Sequence, residues 1–356
     1  MQEFYAPIKE YGEYWRFAFI MGITKFSQLS IFSTINNLTN ISMDPEFSAI
    51  CGISKNELDT VLKENIEKLA EKNHVSFDRM RELLRENYDG YHFCGDGEDI
   101  FNPYSLVRCF ASGMIDNYWY SSGTSSYLIR QMQHFKTDVT ELDNMFAFSS
   151  SFDRPTEEMS DALPLLYQSG YLTIKSYDPL TKGYYLGIPN QEVKAGLMEN
   201  LLPVYSGVSD GKSLGFAAHF YRDLLNGEID AAMEKMKVYF ASIPYPDGGK
   251  DVLADLQKSE CYYETILYVL LSMMNVATFT QVKSCRGRAD AVMFAPTAIF
   301  VFEVKINKTA SEALAQIDDK GYMVPYQADE RKLYKIGISF STKTRTLEDW
   351  DFKEVK

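Results

Sequence analysis

Cysteine is scarce in this 356-residue chain. The five residues (Cys51, Cys94, Cys109, Cys261 and Cys285) include no C-x-x-C pair. An odd, unpatterned set excludes a disulfide framework and reads as reduced thiols in a cytoplasmic protein. Histidine is scarcer still. His74, His92, His134 and His219 lie in unrelated segments, none with metal-ligand spacing, and no Ser/His/Asp or Cys/His arrangement can be assembled from them. No eighteen uncharged apolar residues run together, so no membrane span is expected. The first residues, MQEFYAPIKEYGEYW, lack the basic start and apolar stretch of a signal peptide. Internal repeats and low-complexity tracts are also missing. Positive charge is in deficit, with 36 Lys and Arg against 49 Asp and Glu and a net charge of −13. That excludes a surface coated for nucleic acid. The deficit is uneven, however: residues 281–356 hold 13 Lys and Arg against 11 Asp and Glu, a balance of +2, and the remaining 280 residues carry −15. Contact with phosphates is therefore expected only in the C-terminal part.

A phosphate-binding loop is lacking too. Gly207-Val-Ser-Asp-Gly211-Lys212-Ser213 imitates one, but three residues separate its glycines where four are required. Pro203 and Gly207 make the preceding segment a poor central strand, so a surface turn before a helix is the expectation and ATP is not an expected ligand.

What the chain does have is core-forming material, 46% hydrophobic and 14% aromatic residues. Its length suggests two or three domains. The expected fold is mixed α/β. Phe17–Ile23 reads as a buried strand. Ser54 and Glu57 have capping-box spacing for a helix to about Lys72, Ser76 opens a helix to about Tyr88, and Asn102-Pro103 opens one that Gly113 ends. Residues 137–160, polar and aperiodic, read as a link between units. A helix over 160–169, a hairpin of Tyr171–Tyr177 with Tyr184–Ile188 about Asp178–Gly183, and a helix capped by Asn190 follow. This outline fits a winged-helix-like unit or any small α+β cap. Two further helices precede residue 245.

The C-terminal pattern is the clearest. A helix over Ser259–Asn275 leads to ATFTQVKS, then to strands over Gly287–Phe294 and Thr297–Lys305 joined at Ala295-Pro296. A helix over Ala310–Gly321 and a final strand, KLYKIGISFS, complete it. Charges interrupt the middle strands: Asp290, Glu303 and Lys305. Side chains two apart on a strand share a face, so ordinary hairpin pairing brings all three together. Converging carboxylates repel one another, a cost that is tolerable chiefly with a cation between them. Oxygen ligands without nearby His or Cys suit Mg²⁺ or Mn²⁺ and not zinc. Such an ion activates water and meets charge developing on a phosphodiester, and an ammonium flanked by carboxylates serves better to stabilise charge than as a general base. The competing reading is a solvent-facing salt bridge in an edge strand.

Asp290, twelve intervening residues, then Glu303-Val304-Lys305 resembles the D-x(n)-E-x-K core of the PD-(D/E)xK nuclease superfamily, and the element order is similar to its restriction-endonuclease-like αβββαβ core. Glu264 on the preceding helix and Gln316 on the following one stand where members carry an extra acidic residue and a glutamine. The resemblance implies a metal held by Asp290, Glu303 and the Val304 carbonyl with help from Glu264, catalysis by these residues with Lys305, and support from Gln316. It implies nucleic acid as partner, DNA ahead of RNA. FAFIMGITKFSQLSIFSTINNLTNISMD, ENYDGYHF, FNPYSLV and DNYWYSSGT resemble the second half of an AAA-ATPase-like domain that precedes such nucleases in bacterial proteins, as if truncated before its phosphate loop. The implied organisation is a partial AAA-ATPase-like, mainly helical region over 1–136, a winged-helix-like and helical linker region over 137–244, and a nuclease-like domain over 245–356. The alternatives are a non-catalytic nucleic-acid-binding or regulatory module and half of a split ATPase-like protein.

Overall fold

Helix starts sit where capping chemistry puts them. Ser54 and Glu57 form the reciprocal capping box ahead of α1 (Lys55–Thr60). The Ser76 hydroxyl accepts from the Arg79 N–H at the head of α3 (Phe77–Tyr88). The Asn102 side chain accepts from the Tyr104 and Ser105 N–H groups ahead of α4 (Pro103–Ser112), and Gly113 closes that helix in the left-handed region at φ 74°. The helix expected to run from Ser54 to Lys72 is instead two, because α2 (Lys63–Lys72) starts afresh after a break at Val61 and Leu62.

The computed structural model describes residues 7, 10–22, 39–121, 126–156, 159–244, 260–273, 277–284 and 287–356. It forms two compact units, Met1–Val193 and Lys194–Lys356. The domain boundary expected near 245 adjoins residues 245–259, which lie outside those described.

In the first unit Leu58, Ile66, Met80, Leu84, Tyr88, Phe101 and Leu106 pack as one core. The strand expected at Phe17–Ile23 is not formed. Residues 17–22 are irregular and Phe17 is 79% exposed, while Ile23 lies outside the described residues. An apolar run becomes a strand only when a partner takes its backbone groups, and no described strand pairs with this one. Residues 137–160 are more than a link. After the short antiparallel pair β1 (Ile53–Ser54) and β2 (Ile100–Phe101), they contribute β3 (Met145–Ala147), and Val139, Leu142 and Phe152 are buried. The hairpin of β4 (Thr173–Asp178) and β5 (Gly183–Gly187) pairs antiparallel, with β3 on the outer side of β5. Asp178 sets its turn by accepting from the Leu180 N–H and the Thr181 hydroxyl. The expected helix at 160–169 is shorter, Leu163–Gln168.

In the second unit the GVSDGKS segment joins two helices, Gln191–Ser206 and Asp210–Leu225, with Gly207 left-handed at φ 68°. After α5 (Tyr118–Ser121), α6 (Ser126–His134), α7 (Ser149–Phe152), α8 (Leu163–Gln168), α9 (Gln191–Ser206), α10 (Asp210–Leu225) and α11 (Ile229–Ala241), the order is α12 (Glu260–Ser272), β6 (Ala277–Ser284), β7 (Gly287–Phe294), β8 (Ala298–Ile306), α13 (Ala310–Lys320), β9 (Lys332–Ser341) and β10 (Thr346–Glu354). The last strand was not expected from the sequence. The five strands form one sheet in the order β10-β9-β8-β7-β6, antiparallel except for β8 beside β9. A parallel pair needs a long crossover, and α13 supplies it. Ile317 of that helix packs on Val292, Ile299, Val301 and Leu333 of one sheet face. The other face presents Phe340, which stacks on Tyr263 and meets Phe240 edge-on.

Gly337 of β9 sets how closely α13 lies. A Cβ there would fall 2.4 Å from the Ala310 carbonyl oxygen and 3.0 Å from the Ala313 Cβ. The obstacle is backbone, so it cannot swing aside. Gly337→Ala is expected to destabilise the protein by about 1–3 kcal/mol, the usual cost of overpacking, read as a lower melting temperature.

Candidate active site on the central strands

Register brings the charged residues together. β7 and β8 pair with Ala291 opposite Phe302 and Val292 opposite Val301, so the next step along the two strands sets Asp290 opposite Glu303. Directly opposed residues of an antiparallel pair share a face. Lys305 follows Glu303 by two residues and takes the same face. Across the parallel pairing Glu303 lies beside Gly337 and Lys305 beside Ser339. At Gly337 the absence of a side chain lets α13 lie against the sheet, next to the strand bearing Glu303 and Lys305.

Glu303 is fully buried, and β8 is the middle strand of five. The alternative of a solvent-facing salt bridge on an edge strand is thereby overturned. The local contacts centre on Val304. Its N–H donates to Asp290 Oδ2 at 2.7 Å, and its carbonyl accepts from Lys305 Nζ at 3.1 Å. Lys305 Nζ also donates to Glu303 Oε1 at 2.8 Å. Glu303 Oε2 is buried and has no hydrogen-bond partner among the described residues.

These surroundings raise the Glu303 pKa from the ordinary glutamate range to about 7. Burial is the largest cause, because it removes water from the charged form, and the like charge of Asp290 adds to it. The Lys305 hydrogen bond and charge oppose the shift, and Glu264 on α12 contributes the weakest push upward. Glu264 is half-buried and near enough to be felt electrostatically. Gln316 makes its hydrogen bond to the Tyr322 hydroxyl, at 3.5 Å.

The oxygen donors assembled here are two carboxylates and one carbonyl: Asp290, Glu303 and Val304. Among the described residues no three His, Cys, Asp or Glu side chains cluster so as to hold a metal. Two carboxylates and a carbonyl without His or Cys are not the donors of a closed zinc site. This donor set fits an ion that binds hard oxygens and keeps several of its own waters, Mg²⁺ or Mn²⁺. The orphaned Glu303 Oε2 points the same way, since a buried carboxylate oxygen without a donor is costly until a cation or a proton meets it.

Two features escaped the sequence reading. The close approach at Gly337 had a signal, an isolated glycine inside the strand KLYKIGISFS, which marks close backbone packing. The ion pair of buried Lys335 on β9 with Asp318 on α13, at 2.6 Å, helps to fasten the same helix and had none. Elsewhere His92, which has no assigned role, bonds Asp99 at 3.1 Å, and its backbone pairs with Thr173.

Residues 258–350 match the model of the PD-(D/E)XK nuclease superfamily. The chain is 28% identical over 351 residues to a protein of Azotobacter chroococcum mcd 1 described as an uncharacterized protein in the vnfD 5′ region. That match covers 98% of this chain and 65% of the length of the relative. No solved structure matches. Among the described residues no helix is long and apolar enough to cross a membrane.

Proposed function

We propose that the C-terminal unit hydrolyses phosphodiester bonds in nucleic acid with Mg²⁺ or Mn²⁺ held by Asp290, Glu303 and the Val304 carbonyl, and with Glu264 assisting directly or through water. The observation that carries this reading is the convergence of Asp290, which accepts from the Val304 N–H and whose charge acts on Glu303, with Glu303 and Lys305, inside the segment that matches a nuclease family. The ion supplies an activated water and a positive centre for the charge that develops on phosphorus oxygens. Asp290 and Glu303 hold it on rigid strands, and the buried walls around Glu303 keep competing water out. Lys305 stabilises the negative charge of the pentacoordinate phosphorus or holds the attacking water. Gln316, braced by Tyr322, supports the site from α13.

DNA is the first substrate to test and RNA the second. The +2 balance of residues 281–356 supports a phosphate-bearing substrate here, in contrast to the strongly acidic remainder. For the chain before the nuclease-like segment we retain the AAA-ATPase-like likeness over 1–136 and a winged-helix-like reading of the hairpin and its flanking helices. Its acidic balance suits a scaffold or partner surface more than a DNA reader. The cytoplasm is the compartment consistent with the cysteine usage.

The test is cleavage of a mixed DNA and RNA pool with Mn²⁺, run beside Glu303→Ala. Metal-dependent cleavage that disappears in the variant is the expected outcome. Equal cleavage by both proteins would refute the assignment, and binding without cleavage by either would favour a non-catalytic module.

A further inference from the structure

We infer that the Lys305 ammonium occupies the cation position of the metal-free site, so that a divalent ion enters only by displacing it, and that a phosphate group then receives the displaced ammonium. This deepens the reading above and rests on it.

Lys305 Nζ donates to Glu303 Oε1 at 2.8 Å and to the Val304 carbonyl at 3.1 Å. These are two of the three protein groups that would bind the ion. A Mg²⁺ ion lies about 2.0–2.1 Å from its oxygen ligands. An ion on the same two oxygens would stand no more than about 5 Å from the ammonium, given its own oxygen distance and the 2.8 Å contact of Nζ with Glu303 Oε1, and a double and a single positive charge at that range repel in a site that water screens poorly. The two cations therefore compete for these oxygens. The remaining contacts complete the closed arrangement, because the Val304 N–H is engaged by Asp290 Oδ2. Among the described residues no hydrogen bond reaches Glu303 Oε2, which makes it the landing point for an incoming ion.

Displacement moves the ammonium off the Glu303 carboxylate. A phosphodiester bound beside the ion has the matching chemistry. Ion and phosphate therefore favour the same state, the one with Lys305 swung out, and each raises the affinity of the other. The lysine thus discourages an ion from settling without substrate.

The test is a Mn²⁺ titration of the full chain, followed by the paramagnetic resonance signal of the free ion at pH 8.5. Wild type, Lys305→Met, Lys305→Arg and Lys308→Met are compared. Lys308 is exposed and three residues farther on, so its variant gauges the effect of charge loss alone. Lys305→Met is expected to bind Mn²⁺ roughly tenfold more tightly than wild type, a common size for coupling through one group. Lys308→Met should change affinity by less than about threefold, as a screened exposed charge does, and Lys305→Arg should bind no more tightly than wild type. Equal or weaker binding by Lys305→Met, or an equal gain in Lys308→Met, would overturn the inference and leave the metal site standing. Failure of all four proteins to bind Mn²⁺ would overturn the site and the inference together.

Discussion

Lys305→Met is expected to lower metal-dependent cleavage by roughly 10²–10³-fold, the usual loss when one group that stabilises developing charge is removed, while Mn²⁺ binding survives. Two facts motivate the split between chemistry and binding. The ammonium touches Glu303 and the Val304 carbonyl and is only 13% exposed, so nothing in bulk water replaces it. It is not itself a metal ligand, so its removal leaves every oxygen donor in place. The loss should therefore fall on turnover, with the Michaelis constant for substrate changed much less. Single-turnover cleavage of a labelled oligonucleotide at saturating Mn²⁺ measures this. Retained turnover in Lys305→Met would mean that the lysine has a structural role.

Glu303→Gln is expected to make the metal-free protein more stable at pH 8 while abolishing both metal binding and cleavage. Burial and the Asp290 charge hold the Glu303 pKa up at about 7, against 4.5 for an ordinary glutamate. The folded protein therefore keeps this proton between those values while the unfolded chain releases it. Stability contributed by Glu303 is fully present below pH 4.5 and is lost as pH rises through about 7. The whole cost at pH 8 is on the order of 3 kcal/mol. A neutral amide of the same shape avoids most of it and still accepts from Lys305. In a protein of this size that amounts to several degrees of melting temperature. Melting curves at pH 5 and pH 8 without metal check it. The variant should gain over wild type at pH 8 and much less at pH 5. Added Mn²⁺ should stabilise wild type and leave the variant unmoved. A variant less stable than wild type at pH 8 would show that the ionised carboxylate is well satisfied without an ion.

The C-terminal unit was more legible than the rest, for a local reason. Its strands carry charges where apolar residues belong, and the Ala295-Pro296 turn fixes the pairing that sets Asp290 against Glu303. Caps at Thr309 and Gly321 delimit the helix between β8 and β9. What stayed hidden was non-local. That Glu303 is fully buried depends on β8 being the middle strand, which follows from β9 returning parallel beside it and not from any feature of residues 298–306. β10 escaped because TLEDWDFKE is mostly polar, as an edge strand can afford to be. In the first unit Phe17–Ile23 had the apolarity of a strand but no partner among the described residues. Met145–Ala147, only three residues long, was too short for a period of two to register.

Anomalous scattering from a crystal soaked in Mn²⁺ tests the central claim most directly. The expected result is one strong peak within about 2.0–2.6 Å of oxygens of Asp290, Glu303 and the Val304 carbonyl, with Lys305 Nζ moved away from Glu303 Oε1. A fully loaded soak with no peak between the two carboxylates, or a peak elsewhere while Lys305 still bridges Glu303 and Val304, would contradict it.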